Sequence, residues 1–445
     1  MDKNVVITLL FFIFLIIMVP SISANEIRDN STYIGESSND VMYTTTIDSD
    51  DIVQASDVVY FNASVEKDGD GSIDSPYKYL RSDRLNKIST AYFADGLYKL
   101  DSYRGIYSDL ELIGQSAENT IIKYDGMALS IGVDASLYAS NITFLRSSIR
   151  DFGVFVADDC IFKDCVAAYV DIYGNSFGGA IYCKSGGISS IYSPGAFLTN
   201  CTFINNYAQY GGAIYVEIGV LSLTDSKFIN NTASAYGGAV SCEDGTTLMI
   251  YDSTFDGDVS LDDAGGAIYG KTSSMIISNS NFANCQALFG GAICNLNGQL
   301  DISSSKFKNN TAAYDGGATY SMYGRTSIVK SDFDSNLALN GAGIFIDNCT
   351  AVSINSNSFT SNVAVTGGAL YSNANPKLTY SSNEFSNNTA LIDSDLHIQD
   401  NYPVVVEGNG NYVFVGNYSD WQGDIPSYYN LSSWDCTLVS SSVAI

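Results

Sequence analysis

The side chains with which this chain could do chemistry are few and scattered. Three acidic pairs stand out: Asp158-Asp159, Asp262-Asp263, and Asp393 with Asp395. Paired carboxylates can act as acid and base on a glycosidic bond, or work beside a metal. Each pair falls at a turn or coil end, where Asp is frequent for local backbone reasons. His397 is the only histidine. A His-based metal cluster is therefore excluded, and a Cys–His dyad would need a cysteine brought beside it; the residue reads as surface or end cap. Nine cysteines (160, 165, 183, 201, 242, 285, 294, 349 and 436) contain no C-x-x-C pair, which argues against zinc. Cys183 and Cys242 each follow a GGA-x-x segment and are expected in one column. Buried free thiols are the favoured reading, with disulfides as the alternative. No catalytic residue, cofactor or metal is assigned.

What must position these residues is a repeat. Gly211-Gly212-Ala213-Ile214-Tyr215 returns at Gly178, Gly237, Gly265, Gly290, Gly316, Gly341 (as GAGIF) and Gly367, at intervals of 25 to 33 residues. So steady a period means stacked supersecondary units. Each unit carries one Phe, from Phe203 and Phe228 to Phe385, spaced 25 to 27 residues. Apolar residues recur five and seven positions before it, as in Leu223 and Leu221. Two such columns, two residues apart, mark a strand with one buried face.

Three residues after the Phe stand Asn206, Asn231, Asn310, Asn336, Asn362 and Asn388, with Asp258 and Cys285 as the exceptions. An Asn at one position per coil can bond its copies above and below as a ladder, and it tolerates the left-handed backbone of a tight bend. The paired Gly permits a second bend or close backbone approach. In the strand that follows, Ile is expected inside and Tyr outside. Tyr182, Tyr215, Tyr269, Tyr320 and Tyr371 are thus candidate ligand-facing residues, able to stack on sugar rings or meet a protein partner. The alternative is that stacked Tyr stabilise neighbouring rungs. The fold expectation is all-β: a single-stranded right-handed parallel β-helix (a solenoid) of about 26 residues per coil. Nine or ten rungs give a rod of roughly 45 Å before caps. A leucine-rich repeat or a propeller blade would show other motifs and lengths.

The expected organisation is a signal peptide at 1–24, a flexible lead at 25–56, N-terminal capping β segments at 57–136, the β-helix at 137–415 and a tail at 416–445. The apolar run Val5 to Val19 is short for a membrane span and is followed by Pro20 and small residues, which reads as a cleaved secretory signal. The expected location is secreted or at the extracellular cell surface, as a monomer with no integral span after cleavage. A net charge of −27 argues against nucleic acid and anionic lipid as partners. Ten N-x-Ser/Thr sequons, at Asn30, 62, 141, 200, 230, 309, 348, 387, 417 and 430, are candidate glycosylation sites; Asn230, Asn309 and Asn387 are the leading ones. The run Asp68-Gly69-Asp70-Gly71 is a turn cluster. It has a faint likeness to a calcium loop but lacks the terminal Glu.

GGA[I/V/L] alternating with FxxN resembles the repeats of chlamydial polymorphic outer-membrane proteins and of adhesin-like surface proteins of methanogenic archaea. The lead-in at Val58 to Asn62, Asp68 to Gly71 and Ser75-Pro76-Tyr77 is similar to the start of such archaeal domains. The resemblance covers about Asp57 to Val415. It implies a pectate-lyase-like β-helix at the cell surface, used for adhesion, ligand binding or display toward cell-surface glycans or proteins of another cell, and no established catalytic residues. The resemblance departs from the chlamydial pattern at its C-terminal end, where no outer-membrane barrel is expected within these residues. A carbohydrate-active β-helix enzyme, a polysaccharide lyase or hydrolase, is the alternative reading. A third follows from Asp424 to Leu431, which is similar to the entry of papain-like protease domains; Cys436 lacks the glycine-rich surround of such a nucleophile, so this reading is the N-terminal part of a truncated protease fusion.

Overall fold

The computed structural model describes residues 57–86, 88–184, 195–375 and 378–399, and the backbone of the strands Pro403–Glu407 and Val413–Asn417. The expected signal peptide and lead, the sequons at Asn30 and Asn430, Cys436 and the protease-like stretch lie outside these residues. No helix among the described residues is long and apolar enough to cross a membrane.

Each coil is a four-sided turn of chain, and the one beginning at Val220 shows the plan. The strand Val220–Thr224 has Leu221 and Leu223 buried and ends at Asp225, whose φ is +50°. The short strand Lys227–Ile229 follows, then a corner at Asn230 (φ +54°), a third strand Thr232–Tyr236, a corner at Gly237 (φ +65°) and a fourth strand Val240–Glu243. The next coil begins with Thr247–Tyr251, paired in register on the first: Leu221 on Leu248, Leu223 on Ile250, and Ile250 in turn on Ile277.

Repeating that step builds one long sheet of 15 strands from Asp57–Phe61 to Val413–Asn417. Its first 14 strands pair in parallel and the last pairs antiparallel. At ~4.8 Å per rung this is a rod of about 60 Å. The segments from Asp57 to 136 join the same sheet, with Asp57–Phe61, Ile88–Phe93, Leu110–Gly114 and Ser136–Ser140 stacked in order. The Phe strands and the GGA strands form two further ladders. These are joined at the N-terminal end because Thr120–Ile131 and Thr143–Asp151 each serve both.

One continuous core runs down the inside, including Leu223, Phe228, Ile214 and Val240. From Phe144 to Phe385 the Phe rings stack with centroids 4.6 to 5.2 Å apart and planes within 12° of parallel. Each GG corner is dictated sterically. The first Gly has φ between +57° and +71°, a region that costs L-residues energy. A Cβ on the second would collide with the next coil: at Gly212 it would lie 2.0 Å from the Gly238 carbonyl oxygen.

The near edge of the first strand is covered. The loop ending at Tyr77 folds back so that Tyr77 N–H donates to the Tyr60 carbonyl and Asn62 N–H to the Tyr77 carbonyl. Arg84 holds this loop, reaching Asp68 with its guanidinium (2.5 Å) and lying over the Tyr77 ring at 4.0 Å. That bond holds the Asp68 carboxyl down at about 2. An uncovered edge of a parallel sheet would template further strands.

Candidate functional site

The Asn residues of FxxN lie inside the solenoid at the second corner. Asn206 Nδ2 donates to Asn231 Oδ1 at 2.9 Å and to the Phe162 carbonyl at 3.1 Å. The pattern continues through Asn310, Asn336 and Asn362, each amide bridging to the next coil and to a Phe carbonyl of the coil before, and ends at Asn388, which donates to the Phe359 carbonyl and to Asp395. The left-handed residue of the corner is not the ladder Asn but the one before it: Asn205, Asn230, Asn309 and Asn387 have φ of +54° to +56°. Three of the sequons, Asn230, Asn309 and Asn387, are therefore exposed corner residues followed by a ladder Asn and a Thr, which opens a strand at Thr232 and Thr311 and forms an isolated bridge at Thr389. Corner geometry accounts for the two Asn of their Asn-Asn-Thr spelling.

All eight described cysteines are buried with free thiols. Cys183 and Cys242 share a column with Val216 between them. Burial raises these thiols, Cys165 and Cys201 to about 12 and Cys349 to about 11, which removes the thiolate that a nucleophile needs.

The Tyr column departs from expectation. Tyr182, Tyr215, Tyr269 and Tyr320 do point away from the lumen, since they belong to clusters separate from the main core. They are nevertheless only 2 to 7% exposed. In several coils the third strand ends in an aromatic immediately before GG, and that ring packs on the Tyr in the fourth strand of the next coil. Phe177 lies 4.8 Å from Tyr215, Tyr236 4.4 Å from Tyr269, and Phe289 5.5 Å from Tyr320. This is a second apolar layer on the outside of the solenoid, and the four rings are not ligand-facing. The signal for it was an aromatic at the position just before GG: Phe177, Tyr210, Tyr236 and Phe289. Tyr371 is half-buried, stacked between Phe345 and His397 at 4.9 and 4.8 Å. His397 thus ends that column, with Nδ1 2.6 Å from Asp393 Oδ2.

The acidic pairs do not converge. Asp158 is exposed on the long sheet, whereas Asp159 meets the Asn200 side chain at the following corner. Asp263 interacts with Tyr236, and its backbone carbonyl accepts Leu288 N–H. Asp395 accepts from the ladder residue Asn388 at 3.0 Å. The fold instead aligns four residues that the pairwise reading missed. Lys184, Glu217 and Glu243 stack on consecutive GGA strands, and Lys271 stands at the same place on the next. Lys184 bonds Glu217 at 3.0 Å, and the Tyr182 hydroxyl donates to Glu217 at 3.1 Å. Burial raises Glu243, opposed by Lys271 and a bond from Tyr215. Burial also pushes the Tyr182 and Tyr215 phenols far up, the wrong direction for a base. The shared phase, six residues after the first Gly, was the missed signal.

One open surface of the rod is the outer face of the long sheet. Tyr138, Val156, Phe197, Ser222, Met249 and Ile276 form one column in register. Tyr138 is 45%, Phe197 40% and Ile276 36% exposed. The flanking columns over these six strands are mostly Ser, Thr and Val, and Asp158 is their single charged residue. At the N-terminal end of the same face lies a cavity of about 270 Å³, lined by Tyr60, Tyr92, Ile73, Pro76, Ile113, Asn62 and Gln115 among others.

Three kinds of similarity accompany this geometry. The family described as "Right handed beta helix region" matches residues 238–419, and the Chlamydia polymorphic membrane protein repeat matches 200–217 and 225–243. The fold is thus a right-handed parallel β-helix of about 26 residues per coil, in which these two segments are similar to the Chlamydia polymorphic membrane protein repeat. A curated relative, a probable autotransporter of Escherichia coli, is 32% identical over 130 residues, 27% of this chain; the chain spans 10% of that relative's length. Two solved structures also resemble it. One is the A-module of the Azotobacter vinelandii mannuronan C-5 epimerase, with 13% identity, 78% of this chain and 100% of that one covered, and TM-score 0.41. The other is a GH136 lacto-N-biosidase from Eubacterium ramulus, with 10% identity, 79% and 67% covered, and TM-score 0.45. Neither assigns a role to any residue of this chain.

Proposed function

We propose that this chain is a surface-displayed β-helix that binds without catalysis, holding an uncharged, extended ligand of another cell's surface against the outer face of its long sheet. The observation that carries this reading is that six strands of that face, Ser136–Ser140 to Ser274–Ser278, present Asp158 as their single outward charge on a chain of net charge −27. An aligned column of aromatic and aliphatic side chains between hydroxyl rows can stack on sugar rings or on apolar side chains and offer hydrogen bonds beside them. The partial match to a probable autotransporter and to polymorphic membrane protein repeats supports display at a surface.

The patch measures about 24 Å by 16 Å from its six rungs and five-residue strands, roughly 400 Å². A stable protein–protein interface needs about 800 Å² per partner. The patch therefore suits a narrow extended ligand better than a second copy of the rod. A carbohydrate-active enzyme is the competing reading, and the observation favouring it is the row of half-buried Lys184, Glu217 and Glu243 with exposed Lys271. Its phenols are held protonated, and Glu217 is engaged by both Lys184 and Tyr182. The test is a glycan and whole-cell binding array with the purified chain, read also for new reducing ends. Retention of cells or glycans with every glycan intact supports binding; turnover would transfer the assignment to the enzyme.

A further inference from the structure

We infer that the cavity at the N-terminal end of the long sheet is a subsite for one neutral sugar unit, which gives the proposed binding surface a defined end. This rests on the binding reading above and names its ligand class. The wall is the stacked pair Tyr60–Tyr92, with centroids 5.3 Å apart and planes 15° from parallel, at the head of an outward-facing column. The next residue in that column is Ile113. Replacing a ring by a shorter aliphatic chain leaves a step beside the Tyr92 ring, and Tyr92 is 38% exposed. Ile73 and Pro76, from the loop that covers the first strand, form another side.

Two amides give the cavity its polarity. Asn62 Oδ1 accepts Ser64 N–H at 3.0 Å, and Gln115 Oε1 accepts Asp95 N–H at 3.2 Å. A backbone N–H can bond only the oxygen end of an amide, which fixes both orientations. Both NH2 groups remain as donors with no protein partner among the described residues, as do the Tyr60 and Tyr92 hydroxyls.

Size and charge select the occupant. Pockets for drug-sized ligands run from about 300 Å³ upward, so about 270 Å³ takes one pyranose ring rather than a long oligomer. No lining residue is charged, and the field of a chain at −27 disfavours anions. A hydroxylated neutral ring has an apolar face for the Tyr wall and hydroxyl oxygens for the two amides; a uronate would bring an unpaired charge. One such subsite binds weakly, and useful affinity comes from linkage to contacts further along the face.

The test is ligand-observed NMR with the full chain and four probes: glucose, galactose, N-acetylglucosamine and glucuronate. At least one neutral sugar should give saturation transfer, and glucuronate should give several-fold less. Tyr92→Ala should abolish the signal, Tyr92→Phe should retain most of it, and Gln115→Ala should weaken it several-fold. Circular dichroism confirms that each variant keeps its strands. The inference is overturned if no neutral sugar binds, if glucuronate binds as well as the neutral probes, or if folded Tyr92→Ala binds normally. Whole-cell binding by the parent chain in parallel separates the two claims: cell binding without any sugar signal discards this subsite and leaves the surface-binding reading standing.

Discussion

At the scale of single residues, Asp258 is the informative exception in the ladder. Its Oδ1 accepts from both Asn231 N–H and Nδ2, at 2.8 and 2.9 Å, while its buried Oδ2 has no partner. In the preceding coil that place is taken by the Asn231 amide nitrogen, which donates to the Phe203 carbonyl. A proton on Oδ2 restores the donor, and burial pushes this carboxyl up to about 8, with the Asn231 bonds opposing. Asp151 is the same case at about 7, buried beside Cys183. Both folded-state values lie above the usual carboxylate range, so the folded chain holds protons that the unfolded chain releases. The stability these acids contribute is complete below about pH 4 and is lost as pH rises toward 7 and 8. The melting temperature should therefore fall between pH 5 and pH 8.5. Asp258→Asn should raise it at pH 8.5 and flatten the profile, by a few kcal/mol at most. Unchanged profiles in thermal melts of the two proteins would count against a neutral Asp258. By the same burial, the eight described thiols should resist a thiol reagent until the chain unfolds.

At the scale of elements, the corners are the vulnerable parts. Asn336→Ala strips the acceptor from both Asn310 N–H and Nδ2 and leaves the Phe307 carbonyl without its donor. Unsatisfied buried groups cost about 1–3 kcal/mol each, so a loss of about 3 kcal/mol or more is expected in denaturant titration. Gly212→Ala should be worse, because the new Cβ meets the backbone carbonyls of Gly238 and Thr232 with nothing flexible to yield. Expression of a stable Gly212→Ala chain would contradict this account of the GG corner. These elements were legible in the sequence because each side chain recurs at one phase of the coil. The third strand was not. Its aromatic before GG appears in only some coils, with Asp315, Asn340 and Thr366 in others. The cover it lays over Tyr182, Tyr215, Tyr269 and Tyr320 was therefore hidden, and the period of two that correctly turned those rings away from the lumen could not say what lay beyond it.

At the scale of the whole molecule, six strands of the long sheet carry an outer patch with one charged residue, Asp158, and the column through that patch is bounded by Glu111 and Asp301. Repetition fills the interior with Leu, Ile, Phe and Asn, while the outward columns of the long sheet vary freely, which is where recognition can be written. The face was not legible in advance, because Tyr138, Phe197 and Ile276 fall in one column only once the register is known. The acidic pairs, conspicuous as dipeptides, were dispersed by the same register. The most direct measurement is cell and glycan binding by a Phe197→Asp, Ile276→Asp double variant. Its control is Thr202→Asp, Thr254→Asp, outward residues on the Phe strands. Both pairs add the same charge to a folded solenoid. Loss of binding in the first by tenfold or more, with the second unchanged, is the predicted result. Equal binding by both would show that the neutral face of the long sheet is not the recognition surface.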